Sequence, residues 1–473
     1  MLAMPTAPLA LQDGNGLRPP MGYCSWNDCA SEVTEQRIKN VTRALISSGL
    51  AAKGYTYVNV DEGWLAARDA SGALVANRTK FPSGMAALGA WVHSQRIPNT
   101  GTAMRYGLYT SRGTCQCSTK QYEGPGSAGH IAEDVKWMVA AGADFLKVDS
   151  CCGSQVHEEA FRDYERFRDE LNATGRRVFL AACGWRPWYA PRGDSLAHSW
   201  RIALDGTNWA TLSECVNINA GLSSFARPGA FNDPDLLQGT GVGSNDLGTG
   251  NRRGCFDASR IPQSKEWYIS ERQQRAQFSL WAVMSSPLLI SADPAQVSAA
   301  TLEVWGNEEV IAVNQEFREG GPYQGSRLAG GDLHYDVARR RGHGANVWGK
   351  PLPGGAFALT FVSNGDAPAA DVACDRGCYA SLLAHPARAY TVRDLWARRD
   401  LGTFAPPQTL VAKALAPHGG AAMVRLEPCA FKGGAGGLPP CRYKGHKLRG
   451  KAFEKLACRE AEATGAWGGD CGS

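Results

Sequence analysis

Histidine is scarce in this chain: nine residues in 473, none of them paired at the end of a strand-like run. A metal-dependent hydrolase, which draws on clustered histidines, is therefore a weak candidate, and no cofactor is expected. Charge of one sign is also lacking. Fifty Lys and Arg against 45 Asp and Glu leave a formal +5, too little over this length to argue for a nucleic-acid partner. No apolar run reaches the roughly 18 residues of a membrane helix; the segment SLWAVMSSPLLIS is broken by serines. The opening MLAMPTAPLALQDG has neither a basic start nor a sustained apolar stretch, so no signal peptide is expected there. No GxGxxG follows the first strand-like run, which weighs against a doubly wound dinucleotide-binding sheet.

Cysteine, by contrast, is abundant. There are 15, an odd number, so at least one is unpaired or paired elsewhere. Three N-x-[ST] sequons stand at Asn40, Asn77 and Asn172. Together these point to an oxidising, secretory route and a glycoprotein, either secreted or in a lysosome- or vacuole-type compartment.

Apolar residues make up 44% of the chain and charged residues 20%, enough for a sizeable core, and the length suggests two domains. From Met21 to about Gln315 short apolar runs alternate with amphipathic ones. The strand-like runs are MGYCSW, YTYVNV, RYGLYT, FLKVD, VFLAAC, SWRIALD, GAFNDP and PLLIS. Several are too apolar to be half exposed, as expected of parallel strands covered on both faces. Between them lie helical patterns. One opens on Thr34 as N-cap and places Ile38, Val41 and Leu45 on one face; another carries Phe161, Tyr164, Phe167 and Leu171 as a packing stripe. Eight strands with intervening helices predict an α/β fold, a (β/α)8 TIM barrel. After Glu316 the segments FALTFVSNG, ARAYTVRDLW and AAMVRLEP are short and punctuated by turns, which predicts an antiparallel β-sandwich domain. The expected organisation is an N-terminal extension over 1–16, a catalytic barrel over 17–316, a β domain over 317–428 and a Cys/Gly-rich tail over 429–473 with no assigned role.

In such a barrel the reacting groups come from the C-terminal ends of the strands. The second strand runs into Asp61 and Glu62, the third ends at Tyr109, and the fourth carries Lys147 and Asp149 two residues apart, on one face. The sixth places Arg201 before Asp205, and the seventh leads to Asp233 and Asp235. Each acid alone is explained as well by capping the next helix. Their accumulation on successive strands, beside tryptophan and tyrosine, is what glycosidic cleavage requires: one carboxylate to attack and one acid to protonate the leaving oxygen.

At these residues the sequence resembles glycoside hydrolase family 27, the α-galactosidase and α-N-acetylgalactosaminidase (melibiase-like) family of retaining enzymes. The likeness runs over about 17–428 through PPMGYCSW, GYTYVNVDEGW, YGLYTSRGTC, FLKVDSC, WRIALD, AFNDPDLL and LWAVMSSPLLIS. The resemblance implies Asp149 as nucleophile and Asp205 as acid/base. It implies Trp26, Asp61, Glu62, Tyr109, Lys147, Arg201 and Asp235 as sugar contacts, and a disulfide between Cys115 and Cys151. Galactosides are the implied partners, and a homodimer is compatible with the family.

Departures bear on substrate choice. Cys24 precedes Ser25-Trp26 where the family has a non-cysteine residue. Glu62-Gly63-Trp64 replaces Asp-Cys-Trp, leaving Cys29 without its expected partner. Gly184 stands where a glutamate often reads the sugar 2-hydroxyl, and Gly239 to Lys265 form a glycine-rich insertion with Cys255. Asp61 and Glu62 are expected at the 4- and 6-hydroxyls of galactose. The extra methylene of Glu62 could fill the space vacated in β-L-arabinopyranose, which lacks the hydroxymethyl group. The alternatives are therefore a β-L-arabinopyranosidase or dual activity, and a non-catalytic galactoside-binding barrel.

Overall fold

The computed structural model describes residues 14–117, 124–239, 269–383, 389–430, 438–439, 441–443 and 446–447. The chain divides into two compact units, Met1–Asn208 with Phe225–Glu271 and Pro287–Gly306, and Trp209–Ser224 with Arg272–Ser286 and Asn307–Ser473.

In the first unit every run expected as a barrel strand is one: β1 (Met21–Cys24), β2 (Tyr57–Asn59), β3 (Arg105–Ser111) and β4 (Phe145–Asp149). They are followed by β5 (Phe179–Cys183), β6 (Ser199–Arg201), β7 (Phe231–Asp233) and β8 (Leu288–Ile290). All pairs are parallel, in the order β8-β1-β2-β3-β4-β5-β6-β7. A parallel bridge from Leu237, just beyond β7, to Ile290 of β8 closes the ring. The architecture is the expected TIM barrel. Its strands are largely buried because helices cover one face and the barrel interior the other; Phe145, Leu146 and Val148 of β4 are all buried.

Helix Glu35–Ser47 begins where the sequence places it, with the Thr34 hydroxyl accepting from the Arg37 N–H at 3.2 Å. Helix His157–Ala173 buries Phe161, Tyr164, Phe167 and Leu171 as one stripe. The Tyr164 hydroxyl donates to the Val148 carbonyl at 3.1 Å and pairs with the Ser150 hydroxyl at 3.0 Å. The stripe is core packing, and its one polar atom braces the strand end that carries Asp149.

The second unit contains helices Trp209–Asn219 and Glu308–Gln315 and a six-stranded antiparallel sheet. Its order is Ser326–Gly330, Ala345–Pro351, Phe357–Ser363, Gly420–Cys429, Ala389–Asp394 and Arg399–Phe404. The pair Ala370–Cys374 and Leu410–Leu415 packs on it. Val372, Leu410 and Ala412 share a core with Phe357, Leu359, Phe361, Tyr390 and Val424, a sandwich built from alternating inward residues.

Candidate active site

Lys147 organises the mouth of the barrel. It leaves β4 on the same face as Asp149, and its ammonium donates to Asp61 Oδ2 at 2.8 Å while standing 3.9 Å from Asp149 Oδ2. The Cys24 thiol donates to that same Asp61 oxygen at 3.0 Å. Asp61 is further held by its N–H to Ser25 Oγ at 2.9 Å. The ammonium also lies over the Tyr109 ring, 5.3 Å from its centroid. Burial works against the charged lysine, but Asp61, Cys183 and Asp149 reverse this and hold its pKa well above the ordinary value. It is a fixed cation.

Tyr109 spans two acids. Its hydroxyl is 3.2 Å from Asp149 Oδ2 and 3.3 Å from Glu62 Oε2, and burial with those two charges raises the phenol well above its usual range. It therefore stays a donor. Glu62 Oε2 also accepts the Cys117 N–H at 3.1 Å, so its longer arm turns toward the loop after β3.

Asp149 is 6% exposed. Burial pushes its carboxyl up to about 6; Lys147 pulls it down, Asp205 and Asp61 push it up, and a hydrogen bond from the Cys183 thiol lowers it again. Lys147 does not make Asp149 an ordinary carboxylate, because desolvation outweighs a lysine whose nearer partner is Asp61. Asp205, by contrast, is 57% exposed on the loop after β6, with Oδ1 3.0 Å from Arg201 Nη2. What burial it has raises its carboxyl, but Arg201 and Lys147 prevail and the net displacement is downward. The two carboxyls sense each other electrostatically.

Arg201 is shared. Its Nη1 meets Asp235 Oδ1 at 3.0 Å, and Asp235, which is buried, is pushed up to about 7 by desolvation against the pull of the guanidinium. Trp26 opens the short helix Trp26–Cys29 directly after β1 and is partly exposed.

The disulfide expectation is corrected. Cys115 is joined to Cys152, and Cys151 to Cys117, with Cα separations of 5.5 and 5.2 Å. The two loops run in opposite senses, so the earlier cysteine of one meets the later cysteine of the other. Adjacent side chains at 151 and 152 diverge because Cys152 adopts φ +54°. Cys152, the neighbour of Cys151, is thus the partner of Cys115. Cys29, expected to lack one, is disulfide-bonded. At Gly63 no cysteine fits: φ is +115° and an added Cβ would lie 2.3 Å from the Ser31 carbonyl oxygen. A Cβ on Gly184 would lie 1.9 Å from the Tyr189 ring, so that aromatic occupies the space a side chain there would need. Residues 240–265 of the glycine-rich insertion, with Cys255, lie outside the described residues, as do the tail cysteines Cys458 and Cys471.

Sequence reasoning passed over Cys183, which bonds Asp149 and lies 3.8 Å from Arg201 Nη1. Its position at the very end of β5 was the signal. It also passed over the Cys117 amide, a backbone contact for which no sequence signal exists.

The family model for alpha galactosidase A matches residues 18–250 and 263–316, and that for the alpha galactosidase C-terminal beta sandwich domain matches 342–426. The chain belongs to the alpha-galactosidase family, glycoside hydrolase family 27. A probable alpha-galactosidase of Dictyostelium discoideum is 31% identical over 425 residues, 89% of this chain and 95% of that one. An alpha-galactosidase of Coffea arabica is 33% identical over 392 residues, covering 82% and 89%. Among solved structures, alpha-galactosidase I of Mortierella vinacea aligns at TM-score 0.69 and 25% identity over 88% of this chain and 98% of its own. A β-L-arabinopyranosidase of Geobacillus stearothermophilus aligns at TM-score 0.70 and 20% identity over 90% and 100%, a likeness of fold alone. This family member is accordingly an O-glycosyl hydrolase of the α-galactosidase type.

Proposed function

We propose that the enzyme removes terminal α-D-galactosyl residues from oligosaccharides, glycoconjugates or polysaccharide side chains with net retention. Asp149 attacks C1 and the bond to the aglycone oxygen breaks, while Asp205 gives that oxygen its proton. A water then loses a proton to Asp205 and displaces Asp149 from C1, releasing galactose. This chemistry needs the two carboxyl groups about 5–5.5 Å apart. The observation that carries the reading is the placement of Asp149, buried at the end of β4 against Lys147, Tyr109 and the Cys183 thiol.

The protonation states are set against the reaction. Asp149 must be ionised yet is raised to about 6, and Asp205 must hold a proton yet is displaced downward. With one proton between them it rests more readily on Asp149, so the productive form, Asp149 ionised and Asp205 protonated, is a minority of the singly protonated pair.

The arabinopyranosidase alternative is not favoured. Relatives more than 30% identical over most of the chain are alpha-galactosidases, and the Glu62 carboxylate is drawn to the Cys117 amide and Tyr109. The disulfides fit a secreted or vacuole-type compartment.

Nitrophenyl α-galactoside and β-L-arabinopyranoside, assayed side by side, test the substrate, and proton NMR of the first-formed sugar tests the stereochemistry. α-Galactose as first product, and its loss in Asp149→Asn, are expected. First-formed β-galactose would sink the mechanism, and full activity of the variant would remove Asp149 from its role. Saturable sugar binding without hydrolysis would instead restore the binding-protein reading.

A further inference from the structure

Asp205 is a reacting group on an exposed loop, and what holds it there lies elsewhere. Its Oδ1 takes one arm of Arg201 at 3.0 Å, and the other arm goes to Asp235 Oδ1, also at 3.0 Å. The second oxygen of Asp235 accepts the N–H of Gly206, the residue after Asp205, at 2.7 Å. The four groups close a ring from the Asp205 carboxylate through Arg201 and Asp235 back to the Asp205 backbone. Gln238 adds a clasp, its side-chain amide donating to the Gly206 carbonyl at 2.9 Å.

Asp235 is itself locked. It is 5% exposed, its Oδ1 also accepts the Leu236 N–H at 2.7 Å, and its own N–H donates to Asp233 Oδ1 at 2.9 Å. Its φ of +103° is one that L side chains rarely adopt, a strain retained where a site needs it. Three of roughly four acceptor positions on its carboxylate thus point into the protein, where the family resemblance alone implies a sugar contact.

We infer that Asp235 is the positioning residue of Asp205, holding its loop through the Gly206 amide and diverting half of the Arg201 guanidinium away from it. The inference rests on Asp205 being the acid/base. A guanidinium given wholly to Asp205 would strip the proton that the group must deliver; a second carboxylate on the same cation offsets that. The charged and titratable groups facing the pair are Lys147 and Asp149 from β4, Cys183 from β5, Arg201 from β6, and Asp233 from β7. Among these Arg201 is the one bonded to both.

The test uses the full-length enzyme with two substrates, methyl α-galactoside, whose leaving oxygen needs a proton, and a dinitrophenyl α-galactoside, whose leaving group does not. Asp235→Asn should lose roughly 100-fold in kcat/KM on the methyl glycoside and less than about 10-fold on the dinitrophenyl one, the contrast expected when general acid catalysis fails. The basic limb of its pH profile should move down by about one unit, because Arg201 then acts on Asp205 alone. Asp235→Gly, which suits the positive φ, keeps the question open to measurement if the asparagine variant folds poorly. Equal losses on both substrates, carried by KM with an unmoved limb, would make Asp235 a sugar contact and overturn the inference. Asp205→Ala separates the two levels: if it lacks the leaving-group contrast, the acid/base reading falls; if it has the contrast and Asp235→Asn does not, only this inference falls.

Discussion

Lys147 and Asp149 project from one face of a single strand, and their charged atoms stop 3.9 Å apart. The gap matters because the ammonium spends its closest contact, 2.8 Å, on Asp61. Asp149 is therefore near a cation without being neutralised by it, and burial lifts its pKa to about 6.

The first consequence is a pH profile. The Asp149 carboxyl is raised to about 6 while that of Asp205 is displaced downward, so on the proposed assignment neither carboxyl holds a proton for the aglycone well above pH 6. The kcat/KM for a galactoside of poor leaving group is expected to be maximal below pH 6 and to fall about tenfold per unit well above it. A plateau extending past pH 8 would contradict the raised carboxyl.

Stability should carry the opposite mark of the same shift. Between the unfolded carboxyl value near 4 and about 6 the folded state binds the extra proton, so the contribution of Asp149 to stability falls as pH rises through that window and stays lost above it. Asp149→Asn removes the buried charge. It should stabilise the fold at pH 7 by on the order of 2 kcal/mol, read as a higher Tm, with the gain vanishing below pH 4.

Replacing Lys147 acts on both carboxyls at once. Lys147→Met leaves Asp61 and Asp149 buried without their cation, a loss of roughly 3–5 kcal/mol in denaturant unfolding. Lys147 lowers Asp149 and Asp205 alike, so both limbs of the surviving activity should shift to higher pH, by about one unit. Limbs that stay in place would mean that the ammonium is structural only.

The nested disulfides predict non-additivity. Each closes more than 30 residues (separations of 37 and 34), for which loop-closure entropy gives about 4 kcal/mol. Once either is formed the other closes only a few residues more. Removing Cys115–Cys152 or Cys117–Cys151 alone should therefore cost much less than 4 kcal/mol, and removing both should cost nearly the full amount. Activity should distinguish the singles. Loss of Cys117–Cys151 frees the Cys117 amide from Glu62 and lowers kcat/KM more than loss of its neighbour.

The eight barrel strands were legible because strands covered on both faces must be apolar, and PLLIS or VFLAAC can be little else at that length. Lys147 and Asp149 could be placed on one side from their spacing alone, since the strand period is two. Tyr109, Asp61 and Glu62 could be put at the same rim because each ends or follows a strand. These are properties of local geometry, which the chain order carries directly.

Tertiary structure decided everything that depends on which of several nearby groups comes closest. Cys115 had two adjacent cysteines within reach, and the antiparallel course of the loops selected Cys152. Lys147 had two carboxylates, and 1.1 Å of difference gave its shorter bond to Asp61 (2.8 against 3.9 Å). Asp205 and Asp149 are both plain aspartates in the sequence; one is 57% exposed beside a guanidinium and the other is buried, and the opposed directions of their pKa values follow from that. Residue types set which charges exist, but desolvation and distance set their energies, and both arise only when separate strand ends are brought to one rim.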